Sequence, residues 1–401
     1  MKYKKKIVII GGGIIGLTIA HELSNKYSNI IIEVHEKECV AGSHQSTRNS
    51  GVMHCGLHYK HGSLKAKLST RGIRQLIQFC DDYGLEYEIC GKIVVGNTLE
   101  DEATINNLLS NGTKNGLENL KILNRSEIRK REPFVRCNTA LLVPGEGIVD
   151  YTAVINKLCD LLKDKGHSIY FNSKIVSILN RSDNKIEVST KFNEFECDYI
   201  INCGGLFSDR ILKMTQKESQ SKIIPFRGEY FQLKPEASSL VNHLIYPSPD
   251  IKFPFLGVHF TRLINGDREV GPNAVLAFQR EGYRNTDFSM KDTIETLGYR
   301  GLRKFVSKNF RFSLDQLKMS MSKELFLREA QKLIPDITQN DIMGSRSGVR
   351  AQAMNESGKL LEDFEIEHHG NQLHVLNAPS PAATSSFAIA EHIVENYLSN
   401  I

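Results

Sequence analysis

The chain has 401 residues, 40% hydrophobic and 24% charged, which is an ordinary globular composition and enough length for one large or two intergrown domains. Its 51 Lys and Arg residues exceed its 46 Asp and Glu residues, for a net charge of +5. This mild surplus excludes the strong basic bias of a nucleic-acid-binding protein and favours small anionic molecules as ligands. The longest apolar candidate, residues 7–20, is interrupted by four glycines, so no stretch approaches the ~20 residues that span a bilayer.

Cysteine usage and the first residues indicate a cellular compartment. The eight cysteines include no C-x-x-C pair, and a chain this long does not need disulfide staples, so we interpret them as reduced thiols. Only a short basic stub, residues 1–6, precedes the first apolar run, and it is too short for a signal or transit peptide. We therefore expect a cytoplasmic protein, with at most peripheral contact between this stub and the inner face of the membrane.

The first forty residues carry a β-α-β pattern. Residues 7–10 form a β-branched run that ends in glycines, and residues 14–25 then place apolar side chains at helical spacing. Residues 30–34 form a second apolar run. This order predicts two parallel strands joined by a right-handed crossover through the helix.

A long polar loop, residues 42–51, follows the second strand where a plain nucleotide-binding domain usually continues with strand-helix units. Later elements are predicted from hydrophobic periodicity and turn residues. They are, in chain order, an amphipathic helix over 64–83, a strand over 91–96, a helix over 152–163, extended segments over 168–179, 185–190 and 198–203, a β-rich stretch over 223–278, helices within 290–333, a hairpin over 366–376 and a closing helix over 382–398.

The turn after the first strand contains G-x-G-x-x-G, formed by Gly11, Gly13 and Gly16 between a strand and a helix. In this context the first glycine permits a tight turn, the second lets the backbone approach a diphosphate, and the third lets the helix pack closely on the strand. Glu36 stands at the end of the second strand, where a carboxylate accepts hydrogen bonds from ribose hydroxyls. The motif therefore predicts a bound dinucleotide.

Beyond this motif, the sequence resembles the D-amino-acid-oxidase-type superfamily of FAD-dependent oxidoreductases, and within it the family of L-2-hydroxyglutarate oxidases and dehydrogenases. The similar stretches run from the first strand to the closing helix and so cover essentially the whole chain. Cys55 departs mildly from the pattern, which has a small residue such as serine there. The stretches are His44-Gln45-Ser46, residues 49–56 (NSGVMHCG), 64–68 (LKAKL), Gly91-Lys92, 225–230 (PFRGEY), 271–274 (GPNA) and 378–386 (APSPAATSS).

The resemblance implies FAD as the cofactor, bound by residues of the glycine turn, the polar loop, a later strand and the C-terminal region. It implies that the polar loop approaches the flavin and the phosphates, that Val176 binds adenine through its backbone, that residues 202–205 approach the ribityl chain and that residues 380–384 close over the flavin. The implied cofactor-binding residues are Gly11, Gly13, Ile14, Ile15, Gly16, Glu36, Lys37, Ser43, Gln45, Ser46, Asn49, Ser50, Gly51, Val176, Cys203, Gly204, Gly205, Ser380, Pro381, Ala382, Ala383 and Thr384.

The predicted fold class is α/β, with a discontinuous Rossmann-like FAD-binding domain and a second, β-rich α+β substrate domain. The FAD-binding domain is assigned to residues 1–90, 140–215 and 340–401, and the substrate domain to residues 91–139 and 216–339.

The implied activity, oxidation of L-2-hydroxyglutarate to 2-oxoglutarate, requires a base for the hydroxyl proton and hydride transfer to flavin. Neutral histidine suits the base, and His54 and His259 are the two candidates. A dicarboxylate also needs cationic or strongly donating contacts. The candidates for these contacts are Arg227, Tyr230, Arg350 and Lys65.

Several alternatives stay open at this point. A quinone or oxygen is expected to accept the electrons, and no nucleic-acid partner is expected. His54, His58 and His61 could suggest a metal site, but intervening glycines argue against a shared helical face, so no metal is predicted. A related 2-hydroxy acid, an amine substrate of the glycine or sarcosine oxidase type, or a flavin-binding protein without turnover are the competing functions.

Overall fold

A computed structural model describes residues 4–249 and 256–399, so part of the predicted basic stub and part of the predicted β-rich stretch lie outside the described residues. The helices of the described part, in chain order, are α1 Ile14–Lys26, α2 Leu64–Tyr83, α3 Leu99–Lys114, α4 Arg125–Arg131, α5 Tyr151–Asp164, α6 Ser208–Met214, α7 Met290–Leu297, α8 Arg300–Lys308, α9 Phe310–Met321, α10 Lys323–Gln331 and α11 Ser386–Asn396.

The strands in the described part of the chain form several sheets. They are β1 Lys5–Ile10, β2 Ile30–His35, β3 Val52–Met53, β4 Tyr87–Glu88, β5 Lys92–Gly96, β6 Lys121–Leu123, β7 Thr139–Val143, β8 Gly147–Val149, β9 Ser168–Tyr170, β10 Ile175–Asn180, β11 Ile186–Thr190, β12 Glu194–Cys197, β13 Tyr199–Asn202, β14 Ser221–Leu233, β15 Leu244–Pro247, β16 His259–Arg262, β17 Arg268–Gly271, β18 Val275–Leu276, β19 Ile342–Asn355, β20 Glu365–His369 and β21 Gln372–Asn377.

The nucleotide-binding part is a six-stranded sheet in the order β20-β21-β13-β1-β2-β9. β1 pairs in parallel with β2 on one side and β13 on the other, which confirms the predicted β-α-β start. The β1 run is apolar because both faces are covered: Ile7 and Ile9 join one core cluster and Val8 and Ile10 another. This arrangement fixes the turn after β1 at the carboxyl edge of the sheet.

The second part is a nine-stranded sheet built around the long antiparallel pair β14 and β19, which are paired from Ser221 opposite Asn355 to Leu233 opposite Ile342. β5 and β7 extend it through β15. Sheet membership differs from the predicted division at two places. β7 and β19 belong to this sheet, whereas the prediction assigned most of β7 and all of β19 to the FAD-binding domain.

Most predicted elements are confirmed, including the helix over 64–83 and the hairpin at residues 370–371. Two predictions were wrong in detail. The extended segment 168–179 divides into β9 and β10, and the closing helix begins at Ser386 rather than at residue 382. Residues 380–385 are turns instead. In the described ranges, no helix combines the length and the apolar character needed to cross a membrane.

Candidate active site

A cavity of about 740 Å³ lies between the two sheets. One part of it is lined by the glycine turn, the end of β2 and the polar loop, and another by residues from β14, β15, β16 and β19. The turn at residues 380–384 also lines it, although these residues are more than 300 positions from the glycine turn. The fold therefore brings the predicted nucleotide and substrate residues to a single space.

Two glycines of the turn, Gly11 and Gly16, are required by the packing of the backbone around them. Gly11 has a φ of 113°, and a Cβ there would lie 2.5 Å from the carbonyl oxygen of Cys203. A Cβ on Gly16 would overlap the carbonyl oxygen of Gly11, so the helix could not pack this closely on the strand. A Cβ on Gly13 would meet only the Ser46 hydroxyl, at 3.1 Å, and Gly13 lines the cavity. This is a backbone cradle in which a diphosphate could approach the start of α1.

The Glu36 carboxylate is buried beside this cradle, where it accepts hydrogen bonds from the backbone N–H of Gly12 at 2.7 Å and of Glu38 at 2.9 Å. These bonds hold the side chain against the turn while Glu36 lines the cavity. Each carboxylate oxygen has a further lone pair, so the predicted acceptance of ribose hydroxyls fits this position.

Lys37 also lines the cavity, but its ammonium is bound by protein groups. It lies 2.6 Å from Glu281 and 2.9 Å from the His44 Nε2, and it contacts Glu38. The possible ligand atoms of Glu38, His44 and Glu281 lie within 4.8 Å of one another, a spacing that could hold a metal ion. Since the Lys37 ammonium contacts all three groups, this cluster already contains a cation.

The polar loop is ordered by its own side chains. The Ser46 hydroxyl accepts from the Ile14 N–H at 2.9 Å, and Gln45 accepts from the Ala351 N–H at 2.9 Å. Asn49 donates to the carbonyls of residues 45 and 46 and accepts from the Gly51 N–H. The loop thus connects the glycine turn to β19, which belongs to the other sheet.

Nineteen of the 22 predicted cofactor residues line the cavity; Gly16, Gly51 and Val176 do not. Gly16 lies behind the turn, and Gly51 has a φ of 68° in a turn beside Val149. The Val176 side chain is 48% exposed, while its neighbour Ile175 lines the cavity. An adenine contact through the Val176 backbone therefore stays a prediction.

His54 lines the cavity, and its Nδ1 lies 3.2 Å from the Glu146 carboxylate. Glu146 is buried and also accepts from the Lys92 ammonium at 2.8 Å. Burial raises the pKa of the Glu146 carboxyl, but Lys92 and His54 outweigh burial and hold this pKa below its usual value. The neutral tautomer of His54 that donates its Nδ1 proton to Glu146 has an unprotonated Nε2.

The second predicted histidine, His259, is buried and stacks on Tyr246 with ring centroids 4.0 Å apart. Its Nδ1 donates to the Gly257 carbonyl at 2.9 Å. Burial, together with His54, Arg350 and Lys92, lowers the pKa of His259 to about 3. His259 is therefore neutral at physiological pH and a weak base. His58 is also buried, and its pKa is likewise lowered to about 3.

Three of the four predicted substrate contacts line the cavity: Tyr230, Arg350 and Lys65. The side chain of Arg227 does not reach it. Arg227 pairs with Glu229 at 3.0 Å and contacts Asn285. Arg227 was therefore predicted wrongly as a residue of the cavity wall: residues three apart face opposite sides of a strand, so Arg227 and Tyr230 of β14 do not face the cavity together.

Glu146, Lys92 and Tyr246 also belong to this site, although none of them was predicted as a site residue. Glu146 and Lys92 stand behind the cavity wall, whereas Tyr246 lines it and packs edge-on against His54 at 6.2 Å. Lys92 begins a predicted strand that is otherwise apolar, and this was a signal for a buried ion pair, because a charged residue in a fully buried strand needs a partner.

The fold and the cavity together define a dinucleotide-binding oxidoreductase, and comparison with known proteins gives its family. The chain belongs to the DAO family of FAD-dependent oxidoreductases, whose family model matches residues 6–396. It is an FAD-dependent oxidoreductase that acts on a small molecule, and FAD is its cofactor. The predicted fold class, cofactor and enzyme class are thereby confirmed.

Individual relatives are similar over nearly the whole chain. The L-2-hydroxyglutarate dehydrogenase of Escherichia coli (strain K12) is 44% identical over 388 residues, which cover 96% of this chain and 92% of that protein. The L-2-hydroxyglutarate dehydrogenase of Indibacter alkaliphilus is 42% identical over 391 residues, covering 97% and 98%. Dithionite-reduced L-alpha-glycerophosphate oxidase from Mycoplasma pneumoniae with FAD bound has the same fold, with a TM-score of 0.80, 20% identity and coverage of 98% and 94%.

Proposed function

We propose that this enzyme oxidises L-2-hydroxyglutarate to 2-oxoglutarate, and that His54 is the base. The names of the similar relatives support the substrate. The observation that carries the proposal is the composition of the cavity wall, where a histidine held by a buried carboxylate shares one space with Arg350, Lys65 and Tyr230. Such a wall combines a proton acceptor with cationic and hydroxyl contacts for a dicarboxylate.

The proposed chemistry begins with proton transfer from the substrate hydroxyl to Nε2 of His54. Glu146 keeps Nδ1 protonated and stabilises the imidazolium that forms, in the manner of a carboxylate-histidine pair. Bound FAD supplies the acceptor for the hydride that leaves C2. Proton and hydride together remove two electrons and two hydrogens from the alcohol, which becomes the 2-oxo acid.

His259 has a different role in this proposal. With Nδ1 donating to the Gly257 carbonyl, its Nε2 has no proton and serves as a neutral acceptor for a substrate hydroxyl. The low pKa of His259 makes it a poor proton acceptor at physiological pH, which favours His54 as the base. The stacked Tyr246 restricts the orientation of the His259 ring.

Arg350 is proposed to bind one carboxylate of the substrate. Arg350 is half-buried at the cavity wall, and its guanidinium donates to the carbonyl of Asn273 at 3.2 Å. The second carboxylate is assigned to Lys65, whose ammonium packs 4.6 Å from the Tyr59 ring. Tyr230 is proposed to add a hydroxyl contact near Arg350. A quinone or oxygen is proposed to reoxidise the reduced cofactor.

The test is anaerobic flavin reduction. The purified yellow holoenzyme is mixed with L-2-hydroxyglutarate, and absorbance in the flavin bands is followed in a stopped-flow instrument. We expect rapid bleaching by the L isomer and little bleaching by D-2-hydroxyglutarate, glycine or sarcosine. If glycine or sarcosine bleaches the flavin while L-2-hydroxyglutarate leaves it yellow, the substrate is an amine and the proposal is wrong. A flavin that no 2-hydroxy acid reduces would contradict it equally.

A further inference from the structure

Helices α7 and α9 turn apolar side chains toward solvent. In α7, Met290, Ile294 and Leu297 are 48% to 64% exposed. They are four and three residues apart, so they form one narrow stripe at about 100° per residue. The opposite face of α7 is polar and holds the buried Asp292, which pairs with Arg210. α7 thus inverts the usual arrangement, in which a surface helix buries its apolar face.

Helix α9 repeats this pattern. Phe310, Leu314, Leu317 and Met321 are 37% to 74% exposed and fall on one stripe about 16 Å long. The helix is attached by its other face, where Gln316 accepts from the Ala274 N–H and Ser320 donates to Glu229. All of α9 lies in the described part of the chain, and none of its residues is buried. Packing among residues 4–249 and 256–399 therefore leaves the stripe uncovered.

Positive charge is concentrated beside this stripe. Residues 300–318 contain six Lys or Arg residues and one acidic residue, a net charge of +5, which equals the net charge of the whole chain. Arg311 and Lys318 are exposed and flank one edge of the α9 stripe, because each follows a stripe residue directly. An apolar stripe bordered by cations is the pattern of a helix that lies in the interface of an anionic bilayer.

We propose that the α9 face, defined as Phe310, Leu314, Leu317, Met321, Arg311 and Lys318, docks on the surface of an anionic phospholipid membrane. Charge argues against a second copy of this chain as the occupant, because a two-fold contact through this face would oppose two segments of net charge +5. A bilayer instead accepts the apolar side chains among its acyl chains and pairs the cations with lipid phosphates. This proposal does not depend on the substrate.

The experiment is vesicle flotation of the intact holoenzyme. Vesicles of phosphatidylcholine alone are compared with vesicles that contain roughly one quarter phosphatidylglycerol, at low and high salt. We expect binding to the anionic vesicles that weakens at high salt. F310S/M321S and R311Q/K318Q should each reduce the partition coefficient by about tenfold or more. The matched controls, L99S/F192S and K114Q/K163Q, change exposed residues elsewhere and should bind like the wild type.

Flavin absorbance and turnover with a soluble dye should be unchanged in all four variants, which shows that they are folded. The proposal is overturned if the wild type floats with neither vesicle, or if the control variants lose as much binding as the variants of the α9 face. Sedimentation velocity supplies a second measurement. A wild-type dimer that F310S/M321S converts to a monomer would mean that a second copy covers this face, and would also overturn the proposal.

Discussion

The carboxylate of Glu146 lies 2.8 Å from the ammonium of Lys92, and both side chains are shielded from solvent. Removing one partner of a buried ion pair leaves the other charge without compensation, at a cost of about 3 to 5 kcal/mol. We therefore expect E146L and K92M each to lower the free energy of unfolding by roughly this amount. The double variant E146L/K92M should lose much less than the sum of the two, as measured by urea denaturation of the holoenzymes.

The same pair gives a pH dependence of stability. The pKa of Glu146 is held below its ordinary value of 4.5, so its ionised form stabilises the fold fully above that value. This contribution is lost as the pH falls below about 4.5 toward the folded-state pKa. The stability difference between wild type and E146L should thus be constant from pH 5 to pH 7 and shrink in more acidic buffers. A difference that grows on acidification would contradict the assignment.

His54 and His259 should respond differently to substitution. If His54 is the base, H54A should slow flavin reduction by about a hundredfold or more, with the flavin still bound. H259N should slow it less, because His259 is neutral at the pH of the assay. H259N should also keep the inflections that the rate of flavin reduction shows between pH 5 and 8, because a group with a pKa of about 3 does not titrate in that range. Equal rates for H54A and the wild type would exclude His54 as the base.

Arg350, half-buried at the cavity wall, and Arg227, buried away from the cavity, are two arginines on paired strands. Losing a charge-assisted hydrogen bond to a carboxylate costs about 1.5 to 3 kcal/mol. R350M should therefore raise the KM for L-2-hydroxyglutarate by about 10- to 100-fold. R227M should leave KM unchanged and lower stability, because it leaves Glu229 without this partner. Steady-state kinetics with a dye acceptor measure the KM of both variants. A raised KM in R227M would mean that Arg227 contributes to substrate binding.

These contrasts indicate what the sequence could predict. The β-α-β start and α2 were predictable because their periodicity is local, and the glycine turn because its geometry demands glycine at particular positions. The partnership of Glu146 and Lys92 was not, because Lys92 in β5 and Glu146 in the connection between β7 and β8 are 54 positions apart and no local pattern relates them. The orientation of Arg227 was predictable from strand alternation, since it is an odd number of residues from Tyr230.

Lys65 provides a pH test of substrate binding. Burial lowers the pKa of its ammonium to about 8, with Asp363 and Glu362 partly opposing this effect. Lys65 is therefore charged below pH 8 and loses its proton above it. If it binds a carboxylate, the KM should rise as the pH passes through 8, and K65R should remove this rise because a guanidinium stays protonated. K67R, on the exposed side of the same helix, is the control and should keep the wild-type profile.

Alanine at Gly11 should impair folding, whereas alanine at Gly13 should impair cofactor binding. At Gly11 a Cβ would collide with the Cys203 carbonyl and would require a φ of 113°, so G11A should destabilise the protein even without FAD. At Gly13 a Cβ would enter the cradle and meet only the Ser46 hydroxyl, so G13A should fold normally and bind FAD more weakly. The ratio of flavin to protein absorbance and the Tm of the apoproteins distinguish the two. The control is G145A, where a Cβ meets no atom within 4 Å, and it should match the wild type in both measurements. If G13A binds FAD as fully as the wild type does, the diphosphate does not approach the backbone at Gly13.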